Sequence, residues 1–288
     1  MRLLGIFNVN LAQRGLAPLA RLRERAGERE TGLAGFIIRS GKFVLPVMLV
    51  LGFAGCASQQ GGESTRAHAS AKVHTELAAL YYERAQLGVA LDELGKALQA
   101  EPDYALAYSV RGLVHMALHE DKEAEEDFQH SLHLDSVNSE AHNNYGWFLC
   151  QRGRERESVK QFLAALKNPL YTTPEKAYLN AGVCSRKAGE MKDAEEFLQK
   201  ALLLQPNMPE AQLGMAELDF DNGDYVAAKL NFTRFAQSAS ANVTAENLWL
   251  AVRIERKLGD RNAEDSYALQ LRKRFPDSRE TQLIWQKQ

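Results

Sequence analysis

Residues 140–165 carry a helical pattern that much of the chain repeats. Apolar and small residues recur three and four positions apart through Gly146, stop at Gly153, and resume with Ser158 and Phe162. This spacing forms one face of an α-helix, and a glycine between two such faces is a common place for a helix to end. The segment is therefore predicted to form two short helices joined by a turn.

The pattern recurs with a period of about 34 residues, which is the period of the tetratricopeptide repeat. Its copies start near Ala71, Ala105, Ser139, Glu175, Pro209 and Ala245. The chain thus resembles tetratricopeptide-repeat proteins, and the resemblance implies an all-α superhelix of six helix-turn-helix repeats. The predicted repeats are 71–104, 105–138, 139–174, 175–208, 209–244 and 245–278.

Three positions in each of the first five copies support this register. A small residue on each helix lets the pair approach closely, and a large apolar residue fills the space between them. In order, these are Ala78, Ala90 and Leu94; Gly112, Ala124 and Phe128; Gly146, Ser158 and Phe162; Gly182, Ala194 and Leu198; Ala216, Ala228 and Phe232. The later turns hold Gly153, Gly189, Gly223 and Gly259, where a positive φ is predicted.

The last part of the chain departs from the strict repeat. Residues 169–174 and 238–241 are predicted to be longer loops. The sixth copy is polar at Arg253 and Arg256, which suits a terminal capping repeat. Residues 279–288 are predicted to form a last helix that covers the end of the stack.

The N-terminal region does not resemble the start of a folded domain. Residues 1–37 are arginine-rich, and we expect them to be an extension from a start codon assigned too far upstream. Residues 38–55 combine basic residues, an apolar run and small residues, as in a secretory signal peptide. The polar residues 56–70 are predicted to be a flexible tether.

Cys56 follows the small residues in an order that resembles a bacterial lipoprotein signal, although Phe53 stands where these signals usually have leucine. The resemblance implies covalent acyl chains on Cys56, and Ala57 after it implies delivery to the outer membrane. Two or more acyl chains make membrane attachment durable. The alternative is a buried cysteine at the end of a helix.

Charge and motif content argue against several functions. The chain has 35 Lys and Arg residues against 37 Asp and Glu, so no strong field favours nucleic acid as a partner. His115 and His119 have the spacing of two metal ligands on a helix, but no HExxH glutamate and no evident third ligand accompany them. Because no nucleophile motif or phosphate-binding loop is found either, we expect no metal, small-molecule substrate or catalysis.

Cys150 and Cys184 lie on the predicted first helices of two adjacent repeats. An exported protein matures where disulfides persist, so these residues can form a disulfide that links the two repeats. Two buried free thiols are the alternative, because cysteine is among the most buried residue types.

The first helices of stacked repeats line a concave surface, and such surfaces bind peptides or helices of partner proteins. We predict the partner-binding groove on the first four repeats. It comprises Tyr82, Leu106, Ser109, Leu113, Met116, Asn143, Asn144, Trp147, Leu179, Asn180 and Val183. Trp147 either anchors the partner or packs between repeats. The three asparagines either hold an extended partner backbone or are solvated.

Residues 143–150, with Gly153 after them, resemble the third repeat of the type IV pilus biogenesis and stability lipoproteins, the PilF/PilW pilotin family. This resemblance implies a non-enzymatic outer-membrane lipoprotein whose repeats face the periplasm. It would bind secretin subunits and promote their localisation and multimerisation in the outer membrane. The alternatives are another repeat lipoprotein, such as a protease adaptor or an outer-membrane protein assembly component, and an enzyme in the histidine-rich first repeats.

Overall fold

The computed structural model describes residues 57–238 and 243–285. The extension over 1–37, the signal peptide over 38–55 and Cys56 lie outside the described residues. Within the described ranges the chain forms thirteen α-helices and no strand, which confirms the predicted all-α fold. They are α1 (Ala57–Glu83), α2 (Leu87–Ala100), α3 (Ala105–Leu118), α4 (Asp121–Leu134), α5 (Ser139–Gln151), α6 (Glu155–Ala165), α7 (Pro174–Lys187), α8 (Met191–Leu204), α9 (Pro209–Asp221), α10 (Tyr225–Ser238), α11 (Ala245–Leu258), α12 (Arg261–Arg274) and α13 (Arg279–Trp285).

The chain divides into two compact units, Met1–Val114 and His115–Gln288. In the described part of the first unit, α1 packs along α2. Ala78 of α1 and Ala90 and Leu94 of α2 are fully buried in one apolar cluster that also holds Val114. The small residues therefore bring these two helices together around Leu94, as the repeat pattern predicts.

The flexible tether predicted over 56–70 is wrong for the described residues, because α1 already begins at Ala57. Alanine is the strongest helix former, and Ala67, Ala69 and Ala71 favour continuation of the helix towards its N-terminus. His68 also fixes this part of α1. Its Nδ1 atom forms a hydrogen bond of 2.9 Å with the Glu101 carboxylate, and its ring packs edge-on against the Tyr104 ring with the centroids 5.3 Å apart.

In the second unit the helices pair as α5 with α6, α7 with α8, α9 with α10 and α11 with α12. Close approach within two of these pairs depends on glycine. A Cβ atom on Gly146 would lie 2.7 Å from the Phe162 ring, and one on Gly182 would lie 2.6 Å from the Leu198 side chain. Phe162 and Leu198 are fully buried, so the predicted small and large positions meet as expected.

The turns between paired helices differ along the chain. Gly153, Gly189, Gly223 and Gly259 have φ values of 75°, 79°, 82° and 77°, which confirms the predicted left-handed conformation. In the first two turns the left-handed residue is Ala85 or His119 instead. These two residues carry a Cβ atom, for which the left-handed region costs about 1–2 kcal/mol.

Local hydrogen bonds define several helix starts. The Asn138 side chain accepts a hydrogen bond from the Ala141 N–H and caps α5, and Thr244 and Asn247 form a capping box at α11. Between α6 and α7, residues 166–173 form the longer link. Of the second predicted loop, 238–241, residues 239–241 lie outside the described residues. Ile284 of α13 is buried in the same apolar cluster as residues of α11 and α12.

Candidate functional site

In the first unit, the predicted groove residues differ in accessibility. Tyr82 and Leu106 are partly exposed and pack against the apolar cluster of α1, α2 and α3. Ser109 and Leu113 are buried, so the prediction that they contact a partner is wrong. Burial also raises the pKa of the Tyr82 hydroxyl. The accessible part of the predicted surface in this unit is therefore Tyr82 with Leu106.

In the second unit, most predicted groove residues are not exposed. Met116 and Val183 remain partly exposed. The buried residues are Asn143, Asn144, Trp147, Leu179 and Asn180. They lie on α5 and α7, two helices that contact each other directly. The prediction that these side chains face a partner is wrong for the three asparagines and Leu179, because packing between neighbouring helices covers them; for Trp147 the structure decides between two alternatives.

Two of the three asparagines predicted to hold a partner backbone form a hydrogen bond with each other instead. The Asn180 side-chain amide donates a hydrogen bond of 3.0 Å to the Asn143 side-chain oxygen, across the contact between α5 and α7. These two side chains are only 4% and 1% exposed. A buried amide needs such a partner, and the pair supplies it within the protein.

Trp147 was predicted either to anchor a partner or to pack between repeats. Its side chain is 7% exposed, and the Lys187 Nζ atom of α7 lies 5.9 Å from the centroid of its ring. The residue therefore packs towards the neighbouring repeat and leaves little area for a partner. Packing against the neighbouring repeat removes the apolar area of this large side chain from water, which is the physical reason for this outcome.

Cys150 of α5 and Cys184 of α7 form a disulfide, with their Cα atoms 5.9 Å apart. Of the two alternatives that the sequence leaves open, the structure therefore has the disulfide. The bond joins residues separated by 34 positions, the length of one repeat. Together with the Asn143–Asn180 hydrogen bond, it ties α5 to α7 at two places. We call this region the closed contact.

A pocket that the sequence pattern did not predict lies among α7, α9, α11 and α13. Its volume is about 310 Å³. Its apolar lining consists of Phe220, Trp249 and Leu250, and its charged lining of Arg186, Glu217, Asp221, Glu246, Arg253 and Glu280. We call this cavity the C-terminal pocket. The sequence prediction placed the partner surface on the first four repeats, whereas this pocket extends to the last one.

The arginines of the C-terminal pocket already have partners. The Arg186 guanidinium donates hydrogen bonds of 2.6 Å to Glu217 and 2.5 Å to Asp221. The Arg253 guanidinium lies over the Phe220 ring, 4.1 Å from its centroid. Both arginines are therefore held in place by contacts between successive first helices, and the pocket is preorganised.

Glu217 is the pocket carboxyl whose protonation is most affected by its surroundings. Burial raises the pKa of the Glu217 carboxyl, and the Asp221 and Glu246 carboxylates raise it further. Arg186 and Lys187 act in the opposite direction without reversing the shift. A signal for the pocket was present in the sequence: Arg186, Glu217 and Arg253 occupy the first helices of three successive repeats, about one period apart.

The histidine pair considered as a metal site has other contacts. The His115 Nδ1 atom lies 2.6 Å from the Glu120 carboxylate, and Nε2 lies 3.7 Å from Asp127. His119 holds the left-handed turn that follows α3. Among the described residues no group of three or more His, Cys, Asp or Glu side chains could hold a metal ion. No described helix is long and apolar enough to cross a membrane.

The sequence is similar to a repeat family and to a protein of type IV pilus assembly. The tetratricopeptide-repeat family profile matches residues 185–230. The type IV pilus assembly protein PilF of Pseudomonas aeruginosa is 31% identical over 242 residues, which are 83% of this chain and 95% of PilF. The similarity thus extends over nearly the whole length of that relative.

Two solved structures of similar proteins support the same relationship. The crystal structure of PilW, described as a widely conserved type IV pilus biogenesis factor, superposes with a TM-score of 0.70 at 33% identity, covering 75% of this chain and 98% of PilW. The Pseudomonas aeruginosa PilF structure superposes with a TM-score of 0.68 at 30% identity, covering 77% of this chain and all of the chain in that structure. Fold and sequence therefore agree over the repeat region.

Proposed function

The chain belongs to the tetratricopeptide-repeat family of type IV pilus biogenesis proteins that includes PilF and PilW, and on this premise we propose that it is a pilotin. It would bind secretin subunits and promote their localisation and multimerisation in the outer membrane, acting by binding and not by catalysis. The observation that carries this proposal is the 31% sequence identity with PilF, which extends over 95% of that protein's length.

The proposed anchor is Cys56. Two or more acyl chains on this residue would hold the repeats at the periplasmic face of the outer membrane. Because α1 begins at Ala57, the proposed anchor would be followed directly by the helix that leads into the first repeat. Anchoring raises the local concentration of the repeats next to secretin subunits that arrive at the same membrane, without requiring any additional contact.

The proposed contact surface in the first unit is centred on Tyr82 and Leu106, the predicted groove residues of that unit that remain partly exposed. An apolar and aromatic pair of this kind can accept an apolar side chain from a partner segment, and aromatic residues often dominate binding energy at interfaces. In the second unit, Met116 and Val183 are the predicted residues that keep partial exposure.

Affinity capture of the tagged protein from cross-linked envelope extracts tests whether secretin is the partner. Tagged protein is expected to recover secretin, and Leu106→Gln should reduce the yield several-fold, whereas the exposed Glu123→Gln variant should recover as much as wild type. Circular dichroism would verify that both variants are folded. Recovery of a protease or an outer-membrane protein assembly component without secretin would refute the proposal and favour the corresponding adaptor function.

Membrane fractionation tests the anchor separately. The Cys56→Ser variant is expected to leave the outer-membrane fraction and to lower the amount of secretin multimer found there. If the variant stays in that fraction and the multimers are unchanged, lipid anchoring at Cys56 is wrong, whichever partner the repeats bind.

A further inference from the structure

The C-terminal pocket has properties that a purely structural contact between repeats does not require. We propose that it binds a basic side chain, arginine or lysine, presented by an extended segment of a partner protein. This inference goes beyond the proposed function, because it concerns a different surface from Tyr82 and Leu106 and does not depend on the partner being a secretin.

The size of the pocket limits the ligand. Its volume of about 310 Å³ is at the lower end of the range of about 300–1,000 Å³ that is usual for small-molecule sites. It can therefore accept one or two side chains, but not a whole helix. Its walls come from the first helices α7, α9 and α11, the elements that line partner-binding surfaces in repeat proteins, and from α13.

The charge balance favours a cation. Four carboxylates and two guanidinium groups line the pocket. Arg186 is already paired with two of the carboxylates, those of Glu217 and Asp221. Within the described residues, Glu246 and Glu280 form no salt bridge, so their charges are available to a ligand.

An anionic ligand is disfavoured by the same arrangement. It would have to displace Arg186 from Glu217 and Asp221, or draw Arg253 away from its position over the Phe220 ring. It would also meet the repulsion of Glu246 and Glu280. A cation meets the reverse conditions, because it can approach the Glu246 and Glu280 carboxylates without displacing either arginine.

The apolar walls suit the stem of a long basic side chain. Leu250 is buried, while Phe220 and Trp249 are partly exposed. Arg256 lies over the Trp249 ring at 5.7 Å, and its charge is balanced by a 2.6 Å contact with Glu264. Arginine and lysine bury their methylene groups along such surfaces while the charged end contacts carboxylates.

Synthetic peptides provide the direct test. The probes are short, otherwise uncharged peptides in which two leucines flank a central arginine, lysine, glutamine or glutamate. Binding to the folded repeat protein is measured by titration calorimetry, and by Trp249 fluorescence with Trp249→Phe as the spectroscopic reference. We expect the arginine and lysine peptides to bind about fivefold to tenfold more tightly than the glutamine peptide.

Variants at the rim of the pocket identify the site. The double variant Glu246→Gln, Glu280→Gln should reduce the arginine preference to less than about twofold. The control pair Glu123→Gln, Asp265→Asn changes net charge equally at exposed positions on α4 and α12, outside the pocket lining, and should bind like wild type. Because rim substitutions leave the buried contacts intact, both proteins should unfold at the wild-type temperature.

Three outcomes would overturn the proposal. The glutamate peptide could bind more tightly than the arginine and lysine peptides, or all four peptides could bind equally well or not at all. The third outcome is an arginine preference that is unchanged in the rim variant. The peptides contain no secretin sequence, so any of these outcomes leaves the secretin capture experiment unaffected. Conversely, loss of secretin capture in the Leu106→Gln variant says nothing about this pocket.

Discussion

The closed contact and the C-terminal pocket are formed by equivalent elements, the first helices of adjacent repeats, but their chemistry is opposite. Between α5 and α7, the Cys150–Cys184 disulfide and the Asn180–Asn143 hydrogen bond join the helices through uncharged groups. Among α7, α9 and α11, charged side chains meet around a cavity of about 310 Å³.

Repeat geometry alone therefore does not decide which concave positions stay accessible. The closed contact uses concave positions to stabilise the stack, so Trp147 and the asparagines beside it are buried. At the pocket, Arg186 of α7 pairs with Glu217 and Asp221 of α9, and a cavity remains open beside these charged groups. The predictions below test whether the closed contact mainly supports stability and the C-terminal pocket mainly supports recognition.

The largest expected effect is loss of the disulfide. A cross-link closing a loop of 34 residues stabilises a protein by about 3–4 kcal/mol in the chain-entropy treatment. Cys150→Ala with Cys184→Ala should lower the free energy of unfolding by that amount, as measured by urea denaturation. Reductant should shift the wild-type midpoint towards the variant's, and a variant midpoint equal to that of the oxidised wild type would contradict the stabilising role.

A smaller effect is expected from added bulk beside the closed contact. In Gly182→Ala the new Cβ would meet Leu198 at 2.6 Å and the backbone oxygen of Ala194 at 3.1 Å. Overpacking of this kind costs about 1–3 kcal/mol, which thermal unfolding should detect.

Gly95→Ala is the matched control for helix propensity. A Cβ on Gly95, in the middle of α2, would have no neighbour within 4 Å. Replacement of glycine by alanine in a helix should therefore stabilise by about 0.5–1 kcal/mol. If both variants shift stability in the same direction, close packing at Gly182 is not the reason for its glycine.

The smallest effect is a pH dependence at the pocket. The pKa of Glu217 is raised in the folded protein above its ordinary value of 4.5. Its contribution to stability is therefore fully present below about pH 4.5 and is lost as the pH rises through the folded value. Glu217→Gln should flatten this decline in unfolding measurements across the acidic range, whereas the Glu123→Gln control should keep the wild-type slope.

Much of the fold could be predicted because it depends on local geometry. The small residues at Gly146 and Gly182 and the left-handed turn at Gly153 follow directly from the repeat register. The helical start of α1 was missed, since polar, small residues resemble a tether unless the contacts of His68 with Glu101 and Tyr104 are known.

The binding surface was harder to predict for a different reason. A register says which residues lie on the concave side of a helix, but not how far the next helix covers them. The register therefore left open whether Trp147 faces a partner or the next repeat, and Arg253 was interpreted as a capping residue although it lines a pocket. Exposure depends on contacts between repeats, which no single repeat encodes.

The disulfide also has a mechanical consequence. A pulling force applied to the two ends of the chain would pass through the Cys150–Cys184 bond and bypass the residues between them. These 34 positions could otherwise extend by about 110–120 Å, at about 3.3–3.6 Å per residue. With the disulfide formed, residues 150–184 thus behave as an inextensible link, and unravelling under load is confined to the repeats on either side.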